Sequence, residues 1–450
     1  MVARLKEFRI NHLFGLYSHI IAINLDERIT IIIGPNGRGK TICLKFIEAL
    51  FRKRFFYFSE IPFSSAEFEF DNGDLLKLEC ADDRDTSLLD RTPSRSIHYT
   101  LHSDGKEDVL WMPERVLARE ARRFIPPNWR QANYDLWIDE NDGEELTTEE
   151  IIARLRIPSK LASSLRQDMP GPLNELIKAV DCHLIETQRL VALPPETDVR
   201  EFRYFYERER VRTPRSQLAI QQKAEKLKAI LKETLAHYAN RSQSLDRTFP
   251  LRVFEAQGSP TLSEDELRRA LETLDQRREA LMTSGILDTD YRPVRLRAGA
   301  INPGVSMALE IYVTDTSSKL DVFDDIRSKI DLFKELISKR FIDKTLHIDL
   351  ESGFKITSRN GSDVPLDKLS SGEQNQLILI FDLLFEVTRN SLILIDEPEL
   401  SLHVAWQKAF IESLSRIISL NAFDVILATH SPAIVAMHFD LAVELGPVDA

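Results

Sequence analysis

The pattern of apolar and polar positions changes period several times along the chain. Near the N-terminus "FRINHLFGLYSHIIAINL" alternates loosely, as an antiparallel strand pair would. "RITIII" is a continuous β-branched run that suits a strand buried on both faces. It leads straight into "GPNGRGKT" and then into an amphipathic helix, "ICLKFIEALF". Residues 64–111 return to alternation. "AEFEFDNGDLLKLEC" folds around Asn72-Gly73 and "SIHYTLHSDGKEDVLW" around Asp104-Gly105, two dipeptides suited to tight hairpin turns. Residues 113–180 read as mainly helical and polar, broken at Pro126-Pro127 and Pro170.

A helical spacing of three to four then takes over. Ile220, Ala224, Leu227, Leu231, Leu235 and Tyr238 keep it in one helix. Leu267, Leu271, Leu274 and Leu281 keep it in a second, which opens with a capping box of Ser263 and Glu266. A turn-rich stretch ending "AQGSP" separates them. The two fit either an antiparallel pair projecting about 35 Å from a body or a packed helical subdomain. From about residue 305 the chain returns to α/β character. "HIDLESGFKITSRNG" reads as a hairpin, "SLILID" and "DVILAT" as buried strands, and "SLHVAWQKAFIESLSRII" as a helix between them. "LILIFDLLF" is short and carries Asp382, which fits a buried helix and not a membrane span.

Composition narrows the class. At 450 residues, 43% hydrophobic and 29% charged, the chain can bury a full core and hold more than one structural unit. Cys43, Cys80 and Cys182 are too few and too scattered for a disulfide framework or a zinc site, and a reduced cytosol is the simple reading. "MVARLKEFRI" lacks the apolar core of a signal peptide, so a cytoplasmic location is expected. The net charge of −12 argues against a protein coated in basic surface for nucleic acid. A local patch remains open: in residues 203–228, Arg203, Arg208, Arg210, Arg212, Arg215, Lys223, Lys226 and Lys228 outnumber Glu207, Glu209 and Glu225. That stretch is either a solvated helical face or a surface for phosphate or an acidic partner.

Two motifs carry chemistry. Gly34, Pro35, Asn36, Gly37, Arg38, Gly39, Lys40 and Thr41 fit G-x-x-x-x-G-K-[ST] between a strand and a helix. The glycines let successive backbone N–H groups turn around an anion, and the helix start adds partial positive charge. Lys40 is then placed for the β- and γ-phosphates of ATP and Thr41 for Mg²⁺. In "LILIDEPE", Asp396 ends a buried strand and suits the magnesium shell, while Glu397 is the candidate general base for the attacking water. Tyr17 or Phe14 could stack on adenine, although buried-strand roles suit both better.

A P-loop, then "LSSGEQ", then "LILIDEPE" resembles the ABC-type ATPases. The resemblance implies that Ser370, Ser371, Gly372 and Glu373 form the signature that faces the γ-phosphate of ATP bound to another subunit, with Ser371 where glycine is more usual and Glu373 where glutamine often stands. It implies that Ser401, Leu402 and His403 link two nucleotide sites. It makes His430 in "ATHSP" the switch histidine and Gln188 in "LIETQRL" the Q-loop glutamine near Mg²⁺ and the attacking water. The fold class it implies is α/β, an ABC-type P-loop ATPase head of mixed sheet and antiparallel β lobe with a helical or short coiled-coil insertion. The expected division is an N-terminal lobe at 1–200, an insertion at 201–300 and a C-terminal lobe at 301–450.

Lys40 and Gln188 are separated by 148 residues, more than a compact transporter head needs. That split layout resembles the SMC, Rad50, RecF and OLD-like branch, whose heads dimerise around two ATP molecules. The arm is short beside that of Rad50 and shows no Cys-x-x-Cys hook, and the sequence runs only twenty residues past His430, where OLD nucleases carry a Toprim domain. "LIETQRL", "DKLSSGEQ" and "LIDEPELSLHVAWQ" are similar to ATPase subunits of bacterial anti-phage systems, PARIS first and the Septu/retron PtuA type as near rival. What that implies is a homo-oligomer, at least a head-to-head dimer, with a hexamer built as a trimer of dimers as the larger alternative. It would hold a separate nuclease, of Toprim type in PARIS and HNH type in Septu, until a phage protein such as a DNA mimic is sensed. The alternative is a Rad50- or RecF-like ATPase that binds DNA directly through 203–228. No membrane partner is expected.

Overall fold

The structure is a computed structural model and describes residues 3–81, 96–112, 124–131, 136–139, 145–157, 169–186, 215–256, 262–287, 302–402, 404–436 and 438–446. Two compact units divide the chain: Met1–Arg210 with Val387–Ala450, and Val211–Glu386. The helices expected at 201–300 and the signature segment therefore share the second unit.

In the first unit, β1 (Leu5–Leu13) and β2 (Tyr17–Ala22) form the expected antiparallel pair; β3 (Ile29–Ile33), the loop 34–39 and α1 (Lys40–Phe51) follow. After α2 (Phe55–Glu60), β4 (Ser65–Phe70) and β5 (Leu75–Ala81) turn at Asn72-Gly73, and β6 (Ser96–His102) and β7 (Val109–Trp111) at Asp104-Gly105. These strands make one antiparallel sheet in the order β2-β1-β4-β5-β6-β7. The alternation read from sequence is realised: Phe8 and Ile10, Ala66 and Phe68, and Leu76 and Leu78 are all buried. Phe8 meets Phe68 at 4.9 Å and Phe46 of α1 at 6.0 Å between ring centroids, so the sheet closes over the P-loop helix.

Residues 113–180 depart from the helical expectation. They contain a second antiparallel sheet of β8 (Trp129–Gln131), β9 (Leu136–Asp139) and β10 (Glu145–Thr147), as well as α3 (Thr148–Leu155) and α4 (Gly171–Ala179). The reason is aromatic: Trp129 and Trp137 bury with Ile125, Ile151 and Ile157 in a small core of their own. Cross-strand packing outweighs the polar composition of the stretch. β11 (Cys182–Glu186) ends this part of the unit.

The second unit begins with α5 (Arg215–Glu255), 41 residues long, and α6 (Glu264–Ser284), capped at Ser263 and Glu266 as read from sequence. At 1.5 Å per residue α5 spans about 60 Å. Both pack on α7 (Pro303–Leu320), which gives the packed subdomain and not the bare helix pair. The far half of α5 is held to α7 mainly by charge: Arg252–Asp315 at 2.5 Å and Lys319–Asp246 at 2.6 Å. The stretch 303–338, expected to be α/β, is wholly helical in α7 and α8 (Asp324–Ser338), and strands resume with β12 (Lys344–Asp349), β13 (Gly353–Ser358) and β14 (Asp363–Val364). The β12–β13 turn docks on α5. Gly353 has φ +73, and a Cβ there would stand 1.9 Å from the Ala224 carbonyl oxygen, so only glycine fits. α9 (Ser371–Phe381) carries the signature at its start and loosens into a π-turn at Asp382–Glu386. There Lys223 of α5 pairs with Asp382 at 2.6 Å and Glu386 at 2.8 Å. Burial lifts the Asp382 carboxyl to about 6 despite that lysine.

The chain re-enters the first unit with β15 (Leu392–Asp396). The single helix expected next is broken into a 3₁₀ turn (Pro398–Ser401), α10 (Val404–Lys408) and α11 (Phe410–Asn421), before β16 (Asp424–Ala428), α12 (Pro432–Val435) and β17 (Ala442–Glu444). β11, β15, β16, β3 and β17 form a parallel sheet in that order. The register aligns Glu186 with Asp396, Asp396 with Ala428 and Ala428 with Ile32. Four carboxyl ends therefore lie level, and whatever follows each strand meets along one edge.

Candidate functional site

That edge is where the first unit gathers its charged side chains. β3 delivers the loop 34–39. Gly39, at φ +89, is the N-cap of α1; a Cβ there would come within 2.8 Å of Leu13 Cδ2. No side chain caps α1 and no acid sits in its first turn, so the helix start keeps its positive end for an anion. His19 on β2 braces the loop from outside through Nε2, 2.8 Å from the Arg38 carbonyl; burial lowers its pKa, and the neutral ring donates there. The Arg38 guanidinium lies 5.2 Å above the Tyr17 ring. The strand-core roles expected for the two aromatics are corrected. Phe14 is exposed in the β1–β2 turn, and Tyr17 is only partly buried, between Arg38 and His19.

Lys40 is 5% exposed, and its Nζ donates to the carbonyls of Gly34 at 2.8 Å and Pro35 at 3.1 Å. It also stands 3.4 Å from Nδ1 of His430. Burial lowers its pKa, opposed by the charges of Glu397, Asp396 and Glu399. Those carboxylates therefore hold an ammonium in a buried place, ready for phosphate. The Thr41 hydroxyl donates to Asp396 Oδ1 at 3.2 Å. Adjacent oxygens around an octahedral magnesium, with bonds near 2.1 Å, lie about 3 Å apart. A hydroxyl and a carboxylate at this spacing fit Mg²⁺ in both chemistry and geometry. Among the described residues no group of three or more His, Cys, Asp or Glu could hold a metal by itself.

Glu397 follows Asp396 in a left-handed conformation, φ +49, with its N–H bonded to the Ala428 carbonyl at 2.9 Å. It lines an open cleft of about 450 Å³ with Asn36, Glu399, Leu400, Gln407, His430 and Ser431. Sequence reasoning missed Glu399 and Gln407. Glu399 accepts the His430 N–H at 2.6 Å and the Thr429 hydroxyl at 2.8 Å. Gln407 Nε2 donates to the carbonyls of Glu399 and Leu402, and its Oε1 accepts from Ser431 Oγ at 2.6 Å. The second glutamate of "DEPE" was the available signal, but its partners lie thirty residues ahead.

In the second unit the signature serine is engaged locally. Ser370 is the exposed N-cap of α9: its Oγ donates to Glu373 Oε2 at 2.9 Å and accepts the Glu373 N–H at 3.3 Å, while the Ser370 N–H donates back at 2.9 Å. Lys344 meets the other Glu373 oxygen at 2.6 Å. Burial pushes the Glu373 carboxyl up, but the Lys344 and Ser370 hydrogen bonds outweigh it and hold its pKa below the ordinary glutamate range. Ser371 and Gly372 occupy the first turn.

Gln188 and His403 lie outside the described residues. So do Arg203, Arg208, Arg210 and Arg212 of the basic stretch. Its three lysines are engaged: Lys223 with Asp382 and Glu386, Lys226 with Glu386, Lys228 with Glu225. Cys43 and Cys182 are buried thiols outside any disulfide. Among the described residues no helix is long and apolar enough to cross a membrane.

A sequence model of the family described as "AAA domain, putative AbiEii toxin, Type IV TA system" matches residues 29–436, from β3 through α12. No curated protein matches. Among solved structures the chain is similar to the SMC head domain from Thermotoga maritima, at 12% identity and TM-score 0.34, covering 99% of this chain and 100% of that one. It is similar at 13% identity and TM-score 0.32 to a Pyrococcus furiosus Smc head domain with an extended coiled coil bound to the C-terminal domain of ScpA, covering 96% and 91%. The recombination mediator RecF with ATPrS follows at 13% and 0.29, covering 96% and 93%. The P-loop after β3, the parallel sheet beside an antiparallel one and the helical second unit make the fold that of an ABC-type P-loop ATPase.

Proposed function

The chain belongs to this AbiEii-type AAA-domain family, and from that premise we propose that it hydrolyses ATP as an oligomeric switch in bacterial anti-phage defence. The observation that carries the ATPase reading is the single edge that gathers Lys40, Thr41, Asp396, Glu397 and His430. On binding, Lys40 Nζ exchanges the carbonyls of Gly34 and Pro35 for β- and γ-phosphate oxygens. Thr41 and Asp396 would hold Mg²⁺, which supplies charge neutralisation across the phosphates. Glu397 orients a water and takes its proton as the water oxygen bonds to the γ-phosphorus; the bridging bond breaks and ADP leaves with the electron pair. His430 stands beside Lys40, where a γ-phosphate would be sensed. Gln188 completes the magnesium and water contacts on this reading.

Ser370, Ser371, Gly372 and Glu373 would complete the site of a second copy, so the competent form contains at least two chains. The toxin–antitoxin description of the family supports a defensive role. The sequence phrases resembling PARIS support a separate Toprim-type nuclease held until a phage DNA mimic is sensed, with a Septu-type HNH partner as the variant of the same idea. The test pairs Glu397→Gln with size measurement. The variant should lose at least about a hundredfold in phosphate release and accumulate as an ATP-bound dimer or larger. Unchanged phosphate release would remove Glu397 from its role. A nuclease encoded beside the gene that elutes apart from the chain in every nucleotide state would end the effector reading while leaving the ATPase reading standing.

A further inference from the structure

Four residues close a hydrogen-bonded ring beside the cleft. The Thr429 hydroxyl donates to Glu399 Oε2 at 2.8 Å, and the Ser431 N–H donates to Thr429 Oγ1 at 2.9 Å. Ser431 Oγ donates to Gln407 Oε1 at 2.6 Å, and Gln407 Nε2 returns to the Glu399 carbonyl at 3.3 Å. The other Glu399 oxygen takes the His430 N–H at 2.6 Å. The ring ties the loop after β15 to the loop after β16. Thr429 is 1% exposed and its N–H bonds the Ile32 carbonyl of β3 at 3.2 Å, so the ring is also anchored to the strand that leads into the P-loop.

We propose that Glu399 is the positioning residue of the switch: it fixes the His430 backbone so that the exposed imidazole faces Lys40, and through Gln407 it makes the loop 398–402 and the switch loop move as one piece. The physical reason is charge. A carboxylate that accepts a backbone N–H and a hydroxyl together is a stronger clamp than a neutral acceptor. Glu399 also faces the site electrostatically, since its charge is among those that sustain the Lys40 ammonium. A displacement of loop 398–402 would then reach His430 through two side chains, without any motion of the sheet. The proposal rests on the ATPase reading above and adds a residue that reading does not use.

The experiment compares Glu399→Ala, Glu399→Gln and Thr429→Val, each alone and with His430→Ala. Glu399→Ala should lower kcat about thirtyfold with the ATP dissociation constant changed less than about threefold. Glu399→Gln should recover part of the loss, having shape without charge. In the His430→Ala background, removing Glu399 should cost less than about twofold more, because the two act as one unit. Hydrogen exchange of residues 428–436, measured without nucleotide, should quicken in Glu399→Ala and in Thr429→Val. Additive losses in the double variant, or parallel loss of ATP binding, overturn positioning in favour of a general structural role. Unchanged exchange in both single variants overturns the clamp. A wild-type protein that does not hydrolyse ATP overturns the ATPase reading instead, and the exchange result then decides the clamp alone.

Discussion

On the proposed function two helix N-termini meet phosphate, and they are built in opposite ways. α1 starts at a left-handed glycine with no side-chain cap and no acid in its first turn. α9 starts at Ser370 with a full capping box, its positive end already met by the Glu373 carboxylate. The first is open and has its lysine stored beside it on the carbonyls of Gly34 and Pro35. The second is closed, and its acid is held from the other side by Lys344. A helix dipole alone therefore does not define an anion site; the competing local carboxylate decides when the site is free. On the proposed function, nucleotide enters at α1 without competition, whereas the signature engages only a phosphate able to replace or share Glu373.

The largest break in that contrast is Lys40→Ala, which should weaken ATP binding at least about a hundredfold and abolish phosphate release; equilibrium binding of a fluorescent ATP analogue reads it. Ser370→Arg comes next. It should leave ATP binding through Lys40 within about threefold and lower turnover at least about fiftyfold, and full-rate hydrolysis by an isolated monomer would refute the shared site. Gly39→Ala tests the open start: a side chain at φ +89 facing Leu13 should cost about 1–3 kcal/mol of stability, seen as a lower Tm, and weaken ATP together with it.

The smallest effect sharpens the contrast most. Glu373→Gln keeps the Ser370 cap and removes the competing charge, so the ATP concentration for half-assembly should fall about twofold to fivefold. The same variant carries a pH signature. A lowered glutamate pKa contributes stability that is present above the ordinary value of about 4.3 and is lost as pH falls through the lowered one. Wild type and variant should therefore differ in Tm near neutrality and converge on acidification below that value; a constant gap would mean that Glu373 is not held as described.

Where a motif occupies contiguous residues, its local structure was readable in the sequence. Gly34–Thr41 and Asp396-Glu397 need only a strand, a turn and a helix start to define them, and the register of β3, β15 and β16 supplies the rest. The two hairpins were legible because Asn72-Gly73 and Asp104-Gly105 fix their turns locally. Glu399 was not, because its meaning lies in Thr429 and His430, which become neighbours only when β15 and β16 pair. The β8–β10 sheet was hidden because two tryptophans eight residues apart in a polar stretch of sequence bury together. The helix after Asp396 was overread: Gln407 spends its amide on carbonyls of the preceding turn, and α10 stops at Lys408 before α11 begins at Phe410.

The clamp of Lys223 on Asp382 and Glu386 also has a mechanical meaning. It sits near the start of a helix about 60 Å long and at the trailing end of the helix that carries Ser370. α5 is thus a lever hinged beside the signature. A turn of about 5° at that fulcrum would carry the far end, about 46 Å away, where Phe254 is 85% exposed, through roughly 4 Å. A change too small to rearrange a nucleotide site would be about three-quarters of a helical pitch at the tip.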